Sequence, residues 1–155
     1  MKACHWIIAA AVLASVAPAQ AGINDPEVII YRFPGVRDSG DANFVGVATV
    51  FHCTNFSGVQ ENIRLVTRNN IGGLAANFVV LTPHLSTVTL STHFVVAYAN
   101  QSNMQTGLIA QGTTAIAATS INVICTAETI DASILVPAGV ARRGIRFSPV
   151  PGSQE

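Results

Sequence analysis

Apolar and polar positions alternate with a period of two along most of the chain, and no stretch holds a helical period over a useful length. The clearest case is residues 120–131. There Ile121, Val123, Cys125 and Ala127 share one side and Asn122, Thr126 and Glu128 the other, the pattern of a half-buried strand. Residues 44–54 repeat it, with Val45, Val47, Thr49, Phe51 and Cys53 on one face and His52 turned outward. Residues 61–68 set Ile63, Leu65 and Thr67 against Asn62, Arg64 and Arg68. The run Asn69-Asn70-Ile71-Gly72-Gly73 reads as a hairpin turn, because Asn and Gly tolerate positive φ at little cost. The return strand is 75–81, with Phe78 and Val80 as core candidates. Residues 27–33 predict a first strand stopped by Pro34-Gly35, followed by a loop over 36–43. Residues 86–92 predict another, running on toward Tyr98. A short strand at 106–109 is broken by Gln111-Gly112, and 114–119 reads either as a strand or as the approach to the strand carrying Cys125. A turn at 136–139 precedes a last strand over 141–147, and 148–155 is a loose tail.

At the amino terminus the alternation gives way to Met1-Lys2, an apolar run from Trp6 to Val16, and Ala19-Gln20-Ala21. One positive charge, a short apolar run and a small-x-small site predict a secretory signal peptide over residues 1–21. The run is too short to span a bilayer as a helix. Cys4 precedes it and leaves with the leader. Residues 22–155 are then one domain by length. They contain no lysine and no tryptophan, and seven arginines face eight acids. That balance supplies no basic face for phosphates, so nucleic acid is not an expected partner. With no second long apolar run, no membrane span is expected in the exported chain. The alanine-rich leader is bacterial in style, which sets the expected location as the periplasm or the extracellular medium.

Export changes the reading of the cysteines. Cys53 and Cys125 are the two that remain, and two cysteines in an oxidising compartment are expected to pair. The closed loop of roughly 70 residues corresponds to about 4 kcal/mol in the chain-entropy picture. The alternative is a pair of free thiols serving a metal, but no second cysteine or histidine stands at ligand spacing near Cys125.

Seven to nine short strands at roughly ten-residue spacing predict an all-β, antiparallel sandwich or small barrel, of which the sandwich is the reading adopted. The order of features between the cysteines adds to this. Cys53-Thr-Asn-Phe-Ser-Gly58, then Ile63-Arg-Leu-Val-Thr67, the Asn/Gly hairpin, and Leu81-Thr-Pro83 before Thr87-Val-Thr-Leu90 resembles Ig-like accessory domains of bacterial secreted proteins. The resemblance covers residues 48–92 and implies an Ig-like β-sandwich with a bridge between its two sheets. It departs from antibody domains in having no tryptophan against the bridge and Val123 where a corner tyrosine would stand. As a whole the chain resembles small exported bacterial proteins of unassigned function, which bring no active-site motif.

Candidate chemistry is sparse. His52, His84 and His93 are the histidines of the exported chain, and a copper or zinc site would need them to converge in space. Asp38-Ser-Gly-Asp41-Ala-Asn43 offers oxygen ligands at loop spacing for calcium, without the full pattern of an EF-hand. Glu128 and Asp131 are the one close carboxylate pair near a strand end; a glycosidase would need two facing across a cleft. No Gly-x-Ser-x-Gly elbow and no Ser-x-x-Lys occurs, so no catalytic residue is assigned and no cofactor is implied. Arg142, Arg143 and Arg146 form the local basic cluster, expected to meet Asp25, Glu27, Asp38 and Asp41 if the first and last strands adjoin. Of the aromatics, Phe51, Phe78 and Phe147 are expected in the core; Tyr31, Phe33, Phe44, Phe56 and Tyr98 are left as surface contacts for a sugar. The expected role is a non-enzymatic, exported interaction module using sheet edges or loops. The alternatives are a periplasmic metal- or carbohydrate-binding protein and a pilin-like fibre subunit.

Overall fold

The computed structural model describes residues 26–40, 42–136, 138–142 and 144–146. The expected leader, the expected tail, Asp25, Asp41, Pro137, Arg143 and Phe147 lie outside the described residues. The described residues form ten strands: β1 (Val28–Asp38), β2 (Val47–Asn55), β3 (Glu61–Asn69), β4 (Leu74–Thr82), β5 (Thr87–Ser91), β6 (Ser102–Asn103), β7 (Ile109–Ala118), β8 (Val123–Asp131), β9 (Val140–Arg142) and β10 (Ile145–Arg146). They form two five-stranded sheets, ordered β10-β1-β7-β3-β4 and β6-β5-β2-β8-β9. All pairings are antiparallel except the two-residue β5–β6 contact. Among the described residues no helix is long and apolar enough to cross a membrane.

The expected alternation accounts for the packing. Ile63 and Leu65 of β3, Ile116 and Ala118 of β7, and Phe33 of β1 point into the space between the sheets. They meet Phe51 and Cys53 of β2, Leu90 of β5, and Val123, Cys125 and Ala127 of β8. Phe33 and Phe51 meet edge to face across the gap at 5.7 Å, each full burial of such a side chain contributing about 1.5–3 kcal/mol. Phe78 and Val80 pack against this core from β4. The β3–β4 hairpin forms where expected. Asn69 Oδ1 accepts the N–H groups of Ile71 and Gly73 at 3.2 and 2.8 Å, and Gly72 takes φ 83°.

The cysteines pair, but not as the resemblance implied. Cys53 and Cys125 are direct cross-strand partners in the β2–β8 ladder, with Cα atoms 4.2 Å apart. That spacing belongs to the close, non-hydrogen-bonded pairs of an antiparallel ladder. The bridge therefore pins two neighbours in one sheet, and the expectation that it joins the two sheets is corrected.

Strand boundaries also differ. β2 begins at Val47, after Phe44 and Gly46 at positive φ, and β8 begins at Val123, so Val45 and Ile121, expected on the core faces, are exposed. β1 runs through Pro34-Gly35 to Asp38, with Gly35 at φ 77° where the register with β7 shifts. β7 is continuous through Gln111-Gly112, because Gly112 lets the carbonyl of Arg68 approach where a Cβ would lie 2.4 Å away. β5 stops at Ser91, and residues 92–101 fold over the outer face of β2 and β8 instead of extending to Tyr98. The expected last strand is two. β9 pairs with β8 in one sheet and β10 with β1 in the other. Between them Gly144 passes over Phe33, whose ring lies 2.4 Å from where a Cβ would stand. First and last strands are thus neighbours, Tyr31 opposite Arg146.

Candidate functional site

The fold over 92–101 creates the first concentration of polar side chains. Val95 sits in a second apolar cluster with Ala48, Val50, Ile130 and Ala132. Anchoring the loop there brings His93 onto Asp38 at the end of β1. His93 Nδ1 lies 2.9 Å from Asp38 Oδ2, at contact distance but outside hydrogen-bond geometry, and Nε2 has no hydrogen-bond partner either. Thr106 Oγ1 donates to the same carboxylate oxygen at 3.1 Å, and the Gly40 N–H donates to Oδ1 at 3.2 Å. Gly40 makes room for the imidazole, since a Cβ there would stand 2.9 Å from His93 Nε2. Asn43 Oδ1 accepts from the Phe94 N–H and from Asn103 Nδ2. Asp38, Asn43 and His93, three of the residues singled out as metal candidates, are therefore brought together. They line an open cavity of about 410 Å³ with Asn103 and Gln105. Both oxygens of Asp38 are engaged within the protein, so it holds the loops together.

Beside this pocket Phe44 and Phe94 stack at 6.2 Å between centroids, with Phe44 48 % exposed. Phe44 and Gln105 have φ of 64° and 53°, a left-handed conformation uncommon outside glycine and costly for a bulky residue. The Phe44 N–H donates to the Phe94 carbonyl at 2.8 Å, which helps hold the ring pair in place. The two rings border a second open cavity of about 440 Å³ with Val95, Val96, Tyr98, Ala99 and Gln101.

The second polar cluster lies on the outer face of β2 and β8. His52 of β2 stands opposite Thr126, and Glu128 is two residues further along β8. His52 Nε2 is 3.6 Å from Glu128 Oε1, and Nδ1 is 3.0 Å from Thr89 Oγ1 of β5. Tyr98, delivered by the 92–101 loop, donates its hydroxyl to Glu128 Oε1 and sets its ring edge-on to the imidazole at 4.8 Å. Burial, then the hydrogen bond to Glu128 and its charge, push the Tyr98 phenol up to about 12.

The remaining candidates take separate partners. His84 Nδ1 accepts the Gly58 N–H at 3.0 Å in the turn region between β4 and β5, so the three histidines occupy three places. Asp131 accepts the Ser133 hydroxyl and N–H, which hold its carboxyl below the usual range, the hydroxyl being the larger cause. It does not form a facing pair with Glu128. Glu27 pairs with Arg64 of β3, whose hydrogen bond to the carboxylate raises the guanidinium pKa further. Arg142 donates to Thr129 Oγ1 at 2.8 Å, and Arg146 reaches the Ile121 carbonyl and covers the Tyr31 ring. The strands adjoin as expected, but the charges described there do not meet. Tyr31 and Phe33 are core residues, while Phe56 is exposed. Glu61 was not singled out, yet it is fully buried. Thr119 Oγ1 donates to its Oε2, while Oε1 and Thr82 Oγ1 on the paired strand lack partners.

One structural feature outside these clusters stands out. Among the described residues β4 is a nine-residue edge strand, whereas the other edges, β10, β6 and β9, have two or three residues. It carries no charge and no proline, and Val79 and Leu81 expose 42 % and 46 % of their surface. No family model matches the chain, and neither a curated protein nor a solved structure matches it.

Proposed function

We propose that the chain is an exported, non-enzymatic β-sandwich that acts as an interaction module, and that β4 is its docking edge. The reading of export rests on the leader-like pattern of residues 1–21 and fits the Cys53–Cys125 bridge, since such bonds persist in oxidising compartments. Its Ig-like character extends to the two-sheet plan, not to the position of the bridge. The observation that carries the docking role is the open ladder of β4. Exposed edges are ordinarily blunted by lysine, proline, bulges or very short strands. β4 carries none of the first two and is long, so an extended segment of a partner can add to it, with Val79 and Leu81 offering apolar contacts on the outer face. The test is a photo-cross-linking residue placed at Val79 in the exporting cell. The expected result is one discrete adduct that disappears when Leu81→Lys is added, with no adduct from the same group at exposed Ile124 on the other sheet. Absence of an adduct at position 79, or equal capture at 124, overturns the docking role. An adduct of two copies would favour the fibre-subunit alternative, which sedimentation of the purified protein would confirm as concentration-dependent assembly.

A second reading is favoured by a separate observation, the Phe44–Phe94 ring pair beside the Asn- and Gln-lined pocket. Apolar ring faces next to amide groups suit a sugar. A glycan array read with wild type and Phe44→Ala decides it: ligands retained by both, or by neither, remove the carbohydrate reading.

A further inference from the structure

We propose that the two open cavities beside the Phe44–Phe94 pair are one groove for a neutral oligosaccharide of two or more rings. One sugar ring packs on Phe44, and the hydroxyls of the next meet His93, Asn43 and Gln105. The inference rests on the carbohydrate reading of the loop pocket, which it extends to the class and length of the sugar, and it is independent of the β4 edge.

The first argument is continuity. The same three segments wall both cavities. Asn43, His93 and Asn103 line the cavity of about 410 Å³, while Phe44, Phe94 and Gln101, one or two residues away from them in the chain, line the cavity of about 440 Å³. Each volume is that of a small-molecule pocket. Phe44 is exposed at the boundary, so its ring face is open to a ligand that crosses from one cavity to the other.

The second argument is unmet hydrogen bonding. His93 is buried, yet neither of its ring nitrogens has a hydrogen-bond partner. An unpaired buried polar group in a native fold calls for an explanation, and this one borders a cavity. A sugar hydroxyl both donates and accepts, so it suits either tautomer of the imidazole, by direct contact or through one water. Asn43 supplies donors. Its Oδ1 accepts from the Phe94 N–H and from Asn103 Nδ2, which fixes the carboxamide, and its Nδ2 has no acceptor among the described residues.

The third argument is charge. Among the described residues no arginine or lysine lines either cavity, and no Asp, Glu, Lys or Arg occurs in the chain between Arg68 and Glu128. Asp38 is the one carboxylate at the groove, and both its oxygens are engaged within the protein. An acidic sugar would find no cation there and would face that buried carboxylate, whereas a neutral sugar meets no such penalty.

The backbone agrees. Of the three non-glycine residues at positive φ among the described residues, Phe44 and Gln105 both border this groove. Such conformations persist only where the surroundings over-determine them, and they cluster at ligand sites. Asn103 Oδ1 accepts the Gln105 N–H at 2.7 Å and so holds the backbone beneath the exposed Gln105 side chain.

The test is an array of neutral gluco-, galacto-, manno- and N-acetylglucosamine oligosaccharides of one to six rings, with their uronic-acid counterparts, read with the exported chain. The expected result is retention of neutral chains from two rings upward, and of neither single rings nor uronic acids. Gln105→Gly removes an amide contact and relieves the left-handed φ at the same time. It should weaken binding of the retained chain about threefold to tenfold, the loss of one hydrogen bond, with an unchanged or higher urea midpoint. In NMR that chain should move the ring-nitrogen shifts of His93 and leave those of His84 in place. Retention of nothing on the array removes the carbohydrate reading and this inference with it. Four results overturn the inference alone: single rings held as tightly as longer chains, uronic acids held as well as neutral ones, a His93 ring that ignores the bound chain, or Gln105→Gly binding like wild type. A binding loss that comes with a lower urea midpoint counts against the Gln105 contact in the same way, since a merely structural role predicts it.

Discussion

Tyr98 shows how one side chain comes to depend on three elements. The 92–101 loop brings it over β2 and β8, where burial first and the Glu128 carboxylate second hold its proton to about pH 12, against an ordinary value of 10. The native state thus keeps the phenol protonated where an unfolded chain loses it. The sign follows: the stabilisation is complete below pH 10 and is lost as pH rises from 10 through 12. Tyrosinate absorbance should show a step near 12, and Tyr98→Phe should abolish it. Glu128→Gln should lower that step without returning it to 10, because burial, the larger cause, stays. A Tyr98 that ionises near 10 while circular dichroism still reports native structure would contradict the packing of this loop. The sequence placed His52 outward, but not Glu128 and Tyr98 beside it. The Glu128 contact follows once Cys53 and Cys125 are made direct ladder partners, whereas a bridge between sheets sets no such register. The Tyr98 contact depends on a loop that alternation does not describe.

At the level of elements, what alternation could reveal depended on whether a strand has one wet face. β3 and β4 do, and their spans and shared turn were legible almost to the residue. β7 lies between β1 and β3, and all its residues from Thr114 to Ala118 are buried. Such a strand has no polar alternate to mark it, so Gly112 read as a break. In fact Gly112 is there because Arg68 of β3 crowds it. Gly112→Ala should therefore lower stability by roughly 1–3 kcal/mol, the usual cost of overpacking, with no change in secondary structure. Urea unfolding measures it, and an unchanged midpoint would mean that β3 and β7 do not run at this spacing. Pro34 misled for a related reason. β10 pairs with Tyr31 and Arg32, and beyond that point β1 has, among the described residues, a neighbour on one side only, where a residue without an N–H is tolerated. The split of β9 from β10 was out of reach, since a Gly crossing over Phe33 leaves no periodic trace.

For the whole molecule, the position of the bridge decides what its loss would do. A bond between sheets would share the work of holding the layers together. The bond seen here joins strands already paired along nine positions of one ladder, while the layers are held by apolar contacts such as Phe33 on Phe51. The bridge then acts chiefly on the unfolded chain, by closing a loop with a sequence separation of 72. Replacing both cysteines with alanine should accordingly give a protein that still folds, with the near-ultraviolet signal of its packed aromatics intact. Its unfolding free energy should drop by about 2–4 kcal/mol. Its urea m-value should rise, because an uncrosslinked unfolded chain exposes more surface. Phe51→Ala gives the contrasting outcome. It removes a ring from the contact between the layers, should cost about 3–5 kcal/mol, and has no reason to raise m. If the double alanine variant instead loses its aromatic signal while Phe51→Ala keeps its own, cohesion between the layers would have to come from the sulfur bridge and not from the apolar core.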